Sequence, residues 1–180
     1  MKKQKWNQNW YFWKDGNENQ KQLINLPHDA MLTEERVPEL PNGNASGFYP
    51  GGKYLYEKIF MGEEILAGKV VLVEFEGIYM NSKVFLNHEE VGGWIYGYTN
   101  FYVDLTDKIR IGEKNVLTVI ADNSKTPNSR WYSGSGIYRD VNIYIGKKEY
   151  IMPDGIKVTT VSTLPAVVEF QIEAKKEEHT

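Results

Sequence analysis

Lys53-Tyr54-Leu55-Tyr56-Glu57-Lys58-Ile59-Phe60 and Lys69-Val70-Val71-Leu72-Val73-Glu74-Phe75-Glu76 decide the fold. Both are rich in β-branched and aromatic residues at a period of two, the pattern of a strand with one face turned to a core. The connection between them, Gly62-Glu63-Glu64-Ile65-Leu66-Ala67-Gly68, has room for one helical turn. It is too short for the crossover of roughly a dozen residues that joins parallel strands, so the two strands belong to antiparallel sheet.

Working outward, the same period recurs in Tyr79–Leu86, Phe101–Leu105, Asn115–Ala121 and Ile137–Ile145, with Asn87-His88-Glu89-Glu90 as a tight turn into Val91-Gly92-Gly93-Trp94. Many short strands separated by Gly- and Asn-rich turns predict an all-β fold, a jelly-roll β-sandwich. The aromatic run Trp6, Trp10, Tyr11, Phe12, Trp13 reads as a further strand pinned to the core, with a sugar-stacking surface as the alternative. Composition agrees: of 180 residues, 41% are hydrophobic and 13% aromatic, with 12 Tyr and 16 Gly, which suits strands and turns better than a helical bundle.

Lys and Arg number 21 against 24 Asp and Glu, a net charge of -3, so no basic field is available for nucleic acid or an anionic membrane. The chain has no Cys, which excludes disulfides, thiolate zinc sites and a cysteine nucleophile. The start, Met1-Lys2-Lys3-Gln4-Lys5, lacks the apolar run of a secretory signal, and a cytoplasmic location is expected. Residues 1–146 are read as one domain and the polar stretch 147–155, with Pro153-Asp154-Gly155, as a linker. Residues 156–180 then hold two strand patterns, too few to close a sandwich of their own. They are expected to begin a second, immunoglobulin-like sandwich of a longer protein; the alternative is that they complete the first one.

His28, His88 and His179 are far apart and form no helical zinc motif, so neither a metal nor a cofactor is expected. Gly134-Ser135-Gly136 leads into a strand rather than a helix and reads as a turn, not a phosphate loop. Ser133 and Ser135 occupy no strand-to-helix elbow of the kind that presents a serine nucleophile. The stretch with the most chemistry is the long loop Asn123–Gly136, with Asn128, Arg130, Trp131 and Tyr132 close together. Flat aromatic faces suit the C–H surface of a sugar ring, and amide and guanidinium groups suit its hydroxyls. The structural alternative has Trp131 plugging the end of the sandwich and Arg130 paired with a local acceptor. His28, in Leu26-Pro27-His28-Asp29, reads as part of a structural turn, with a hydrogen-bonding element of a site as the alternative.

Asn25-Leu26-Pro27-His28-Asp29, Phe75-Glu76-Gly77-Ile78-Tyr79-Met80, Gly97-Tyr98-Thr99-Asn100-Phe101 and Arg130-Trp131-Tyr132-Ser133-Gly134-Ser135-Gly136-Ile137-Tyr138-Arg139-Asp140-Val141 occur in an order that resembles the N-terminal sugar-binding domain of glycoside hydrolase family 2, the β-galactosidase and β-glucuronidase family. The resemblance implies a jelly roll followed by an immunoglobulin-like sandwich and a TIM barrel that holds both catalytic glutamates of a retaining glycosidase. It implies that this segment alone is inactive, packs on the barrel and lends Asn128, Arg130, Trp131 and Tyr132 to the pocket of a β-glycoside, most plausibly a β-galactoside. Some β-galactosidases place a metal-holding Asp just before the Trp; here Asn128, Ser129 and Arg130 stand there, so metal is not expected. A further pocket Asn of the family corresponds to Asn44 or is absent here. A stand-alone carbohydrate-binding module and a purely structural or assembly domain are the alternatives, and a homo-oligomer is left open.

Overall fold

The computed structural model describes residues 1–125 and 127–176; Thr126 in the long loop and residues 177–180, His179 among them, lie outside the described residues. Ten strands form two sheets. In chain order they are β1 (Lys2–Lys5), β2 (Trp10–Lys14), β3 (Gln22–Ile24), β4 (Lys53–Met61), β5 (Val70–Phe75), β6 (Ser82–Leu86), β7 (Glu89–Trp94), β8 (Phe101–Asp104), β9 (Lys114–Asp122) and β10 (Val141–Gly146). One sheet has the order β1-β10-β5-β8, the other β3-β2-β4-β9-β6-β7. All pairings in them are antiparallel, and helix among the described residues is confined to short 3-10 turns. The expected all-β sandwich is the observed fold.

Alternation builds the core. Tyr54 and Tyr56 of β4 and Leu117, Val119 and Ala121 of β9 face Val71, Val73 and Phe75 of β5 and Val141 and Ile143 of β10 in one buried cluster. At roughly 25 cal/mol per Å² of apolar surface, this continuous layer is the main source of stability. Trp10 and Phe12 belong to it and Trp13 is also buried, so the N-terminal aromatics are packing groups and not a sugar surface. The β6–β7 hairpin closes through Asn87 and His88, both at positive φ (50° and 73°), the two-residue turn whose twist matches the flanking strands.

Three expectations are corrected in extent. The strand expected from Tyr79 begins at Ser82, and the one expected from Ile137 begins at Val141, because Tyr79 and Gly136 pair instead as an isolated bridge across the end of the sandwich. The stretch read as a linker is strand from Tyr150 onward. β11 (Tyr150–Thr163) pairs antiparallel with β12 (Ala166–Lys175) in a separate sheet, and Pro153-Asp154-Gly155 falls in a register break between Ile151 and Ile156. These strands do not complete the first sandwich.

Candidate functional site

The turns at one end of the sandwich converge on Asp29. Its Oδ1 accepts from the backbone amides of Met31 and Ser135, both at 3.0 Å, and its Oδ2 accepts from the Tyr132 hydroxyl at 2.6 Å. One carboxylate thus caps the 3-10 turn Ala30–Thr33, holds the Gly134–Gly136 turn and ties down the long loop. Beside it, His28 Nδ1 lies 3.0 Å from the hydroxyl of Tyr56, which is wholly buried. Burial pushes the His28 imidazole below its ordinary value, against the smaller opposing pull of Asp29.

The base of the long loop is fixed. Asn123 is buried and donates to Ser135 Oγ at 2.6 Å and to the Gly134 carbonyl at 3.3 Å. Gly136 must be glycine: its φ is +89°, and a Cβ there would stand 2.0 Å from Tyr56 Oη. These contacts explain why the run resembling a phosphate loop is a structural turn.

The sequence-selected residues divide into two pairs. Asn128 donates to Asn123 Oδ1 and to the Lys125 carbonyl (2.8 Å), so its amide holds the loop. Tyr132 donates to Asp29 and packs edge-on against Tyr49 at 5.8 Å, so its hydroxyl is also engaged. Arg130 is exposed and makes no hydrogen bond or ion pair among the described residues. Trp131 is 57% exposed, and its indole Nε1 donates to Tyr98 Oη at 2.7 Å. Among the described residues, then, Trp131 stands largely exposed and Arg130 has no paired acceptor. Asn44 is exposed in the 3-10 turn Gly43–Ser46, ahead of Phe48, whose φ of 65° is an outlier for a bulky residue.

Sequence reasoning missed Asp29, Tyr98 and Tyr49 as members of this end. Asp29 and Tyr98 lie inside motifs quoted above, but their partners Tyr132 and Trp131 are 103 and 33 residues away in the chain, so no local spacing reveals them. Among the described residues no group of three or more His, Cys, Asp or Glu is placed to hold a metal.

No family model matches the chain. It is 45% identical over 124 residues to the β-galactosidase BoGH2A of Bacteroides ovatus, covering 69% of this chain and 15% of that protein. Among solved structures, a β-glycosidase from Bacteroides vulgatus superposes with a TM-score of 0.89 at 31% identity over 99% of this chain and 25% of its own. A glycosyl hydrolase family 2 member from Bacteroides cellulosilyticus gives 0.77 at 33% identity, over 90% and 23%. The chain therefore spans a quarter or less of the length of each. With 45% identity to such a protein over 69% of this chain and this all-β sandwich superposed on solved members, the chain belongs to glycoside hydrolase family 2 as one of its β-sandwich domains.

Proposed function

We propose that this domain is the accessory sugar-binding domain of a retaining β-glycosidase, in the first instance a β-galactosidase, and that Arg130 and Trp131 form part of the rim of its substrate pocket. The observation that carries the reading is that a guanidinium with no partner among the described residues and an exposed indole project from a loop whose Asn128 and Tyr132 side chains are bonded within the fold. A fastened loop loses little entropy when it meets a ligand, so contacts made there translate well into affinity. The pair of carboxyl groups about 5 to 5.5 Å apart that retaining hydrolysis needs is assigned to the rest of the protein. Residues 1–146 constitute the accessory domain, and the β11–β12 hairpin opens the next, immunoglobulin-like one.

In this reading Asn128 and Tyr132 position the loop, while Arg130 donates to substrate hydroxyls and Trp131 walls the pocket. A second reading, a β-glucuronide, is favoured by Arg130, which bonds no other described residue and whose fork fits a sugar carboxylate in a bidentate pair. Relatives under both names, β-galactosidase and β-glucuronidase, match the chain.

The test is steady-state hydrolysis of nitrophenyl β-galactoside and β-glucuronide by the full-length protein carrying Arg130→Ala or Trp131→Ala. In Arg130→Ala, loss of a hydrogen bond from a charged donor is expected to lower kcat/KM by about tenfold or more; in Trp131→Ala, loss of the aromatic wall is expected to lower it by less. Unchanged kinetics per folded molecule, with altered assembly or melting, would leave a structural role only.

A further inference from the structure

The loop from Trp94 to Asn100 carries a surface that the pocket reading does not use. Ile95 is 75% exposed and Tyr96 57%, and Tyr96 packs edge-on against half-buried Tyr98, with ring centroids 5.6 Å apart. Tyr98 in turn accepts the Trp131 indole N–H, so Tyr96, Tyr98 and Trp131 make one aromatic path across two loops. The backbone beneath it is pinned. Gly97 is buried, and a Cβ there would stand 2.3 Å from Tyr79 Cδ2. Its carbonyl accepts from Tyr138 Oη at 2.7 Å, and the Ile95 carbonyl accepts from the Asn81 amide at 3.1 Å.

We propose that this path binds the leaving-group sugars of an oligomeric β-glycoside, with the residue to be cleaved beside Arg130 and Trp131 and the following residues lying on Tyr96 and Ile95. The inference rests on the reading of residues 128–132 as a pocket rim. Three features favour a sugar chain over a docked protein segment. The indole N–H groups are already satisfied, that of Trp94 by Thr99 Oγ1 at 2.9 Å and that of Trp131 by Tyr98, which leaves flat faces as the available surface. The path offers one aliphatic side chain, Ile95, whereas a permanent interdomain contact resembles a core cut in half. Trp131 of the path also directly follows Arg130, a multidentate donor for hydroxyls that bonds no other described residue.

The experiment compares two substrates in the full-length protein: the β-glycosyl fluoride, with the smallest leaving group, and a β-linked trisaccharide ending in the same sugar. Galactosyl fluoride is paired with β-1,4-galactotriose, or glucuronyl fluoride with a trisaccharide ending in β-glucuronate, as the nitrophenyl assay above selects. Tyr96→Ala is expected to lower kcat/KM for the trisaccharide about five- to tenfold more than for the fluoride, in line with the loss of one aromatic stacking contact. Ile95→Ala, at a more exposed position where folding is not at stake, shifts the ratio in the same direction by less. An equal fall on both substrates, or no change in the ratio for either variant, would overturn the proposal. Arg130→Ala separates the two failures: if it impairs hydrolysis of the fluoride while the Tyr96 and Ile95 variants leave the ratio unmoved, only the platform falls. If it changes neither substrate, the rim reading falls with it.

Discussion

Asp29→Ala should release the whole loop end while leaving the sandwich folded. Three donors lose their acceptor: the Met31 and Ser135 amides, each at 3.0 Å, and the Tyr132 hydroxyl at 2.6 Å. A hydrogen bond to a charged group contributes about 1.5–3 kcal/mol net when shielded. Met31 and Ser135 are buried, so water cannot replace the carboxylate there, whereas Tyr132 is 41% exposed and its share is discounted. The sum is at least about 3 kcal/mol, a large part of a typical domain stability of about 5–15 kcal/mol. Asp29→Asn keeps one oxygen for the two amides and should cost about 1 kcal/mol; Tyr132→Phe removes the third bond alone and should cost about 0.5–1 kcal/mol. Urea unfolding of the four proteins, with the Asp29→Asn/Tyr132→Phe double variant to measure coupling, gives the energies. Amide exchange across residues 128–136 should accelerate in Asp29→Ala well before global unfolding. A loss below about 1 kcal/mol for Asp29→Ala, or unaltered exchange in the loop, would refute the view that this carboxylate holds the site together.

Gly136→Ala should cost at least about 3 kcal/mol in urea unfolding, since it combines a left-handed backbone with a Cβ 2.0 Å from the buried Tyr56 hydroxyl; a smaller loss would show that the turn can shift. Because burial lowers the folded His28 value below the unfolded one, the unfolded chain binds the proton more readily, and stability should fall as pH drops below about 6.5. Thermal melts of His28→Gln across that window should show a flatter profile. Glu74 is buried on the outer face of the β1-β10-β5-β8 sheet, and although burial alone would raise its value, hydrogen bonds from Lys3, Asn100, Tyr102 and Tyr144 hold it lower. Its contribution is therefore present above the ordinary carboxylate value and lost as pH falls through the folded one, so Glu74→Gln should flatten the melting profile below about pH 4.5. The Tyr102 hydroxyl lies 3.0 Å from Glu74 Oε1 and 2.6 Å from Asp154 Oδ2, so Tyr102→Phe should speed amide exchange in the first residues of β11.

What could be read from the chain alone follows from how each element is specified. Strands β4, β5 and β9 carry their own signature, because alternate residues must reach the same core whatever the partner strand. β1 carries none: Lys2-Lys3-Gln4-Lys5 has no apolar face, and it is a strand because the edge of β10 offers unpaired backbone groups. Glu74 and Asp140 also lie where Lys3 and Lys5 can reach them. Asp154 misled for a related reason. Pro153-Asp154-Gly155 has the composition of a linker, yet it is a break in strand register with Asp154 at a φ of 58° and its carboxylate on Tyr102. The same rule governs the candidate site. Composition pointed to the loop with Asn128, Arg130, Trp131 and Tyr132, but side-chain chemistry alone cannot separate a residue that presents from one that fastens. Asn128 and Tyr132 fasten because Asn123 and Asp29 reach them, and Arg130 and Trp131 present because one has no partner among the described residues and the other has its face turned outward. A donor already spent inside the fold has little left to give a ligand, so in the proposed sugar-binding role the contacts fall to the second pair, and the first pair sets how well they are realised.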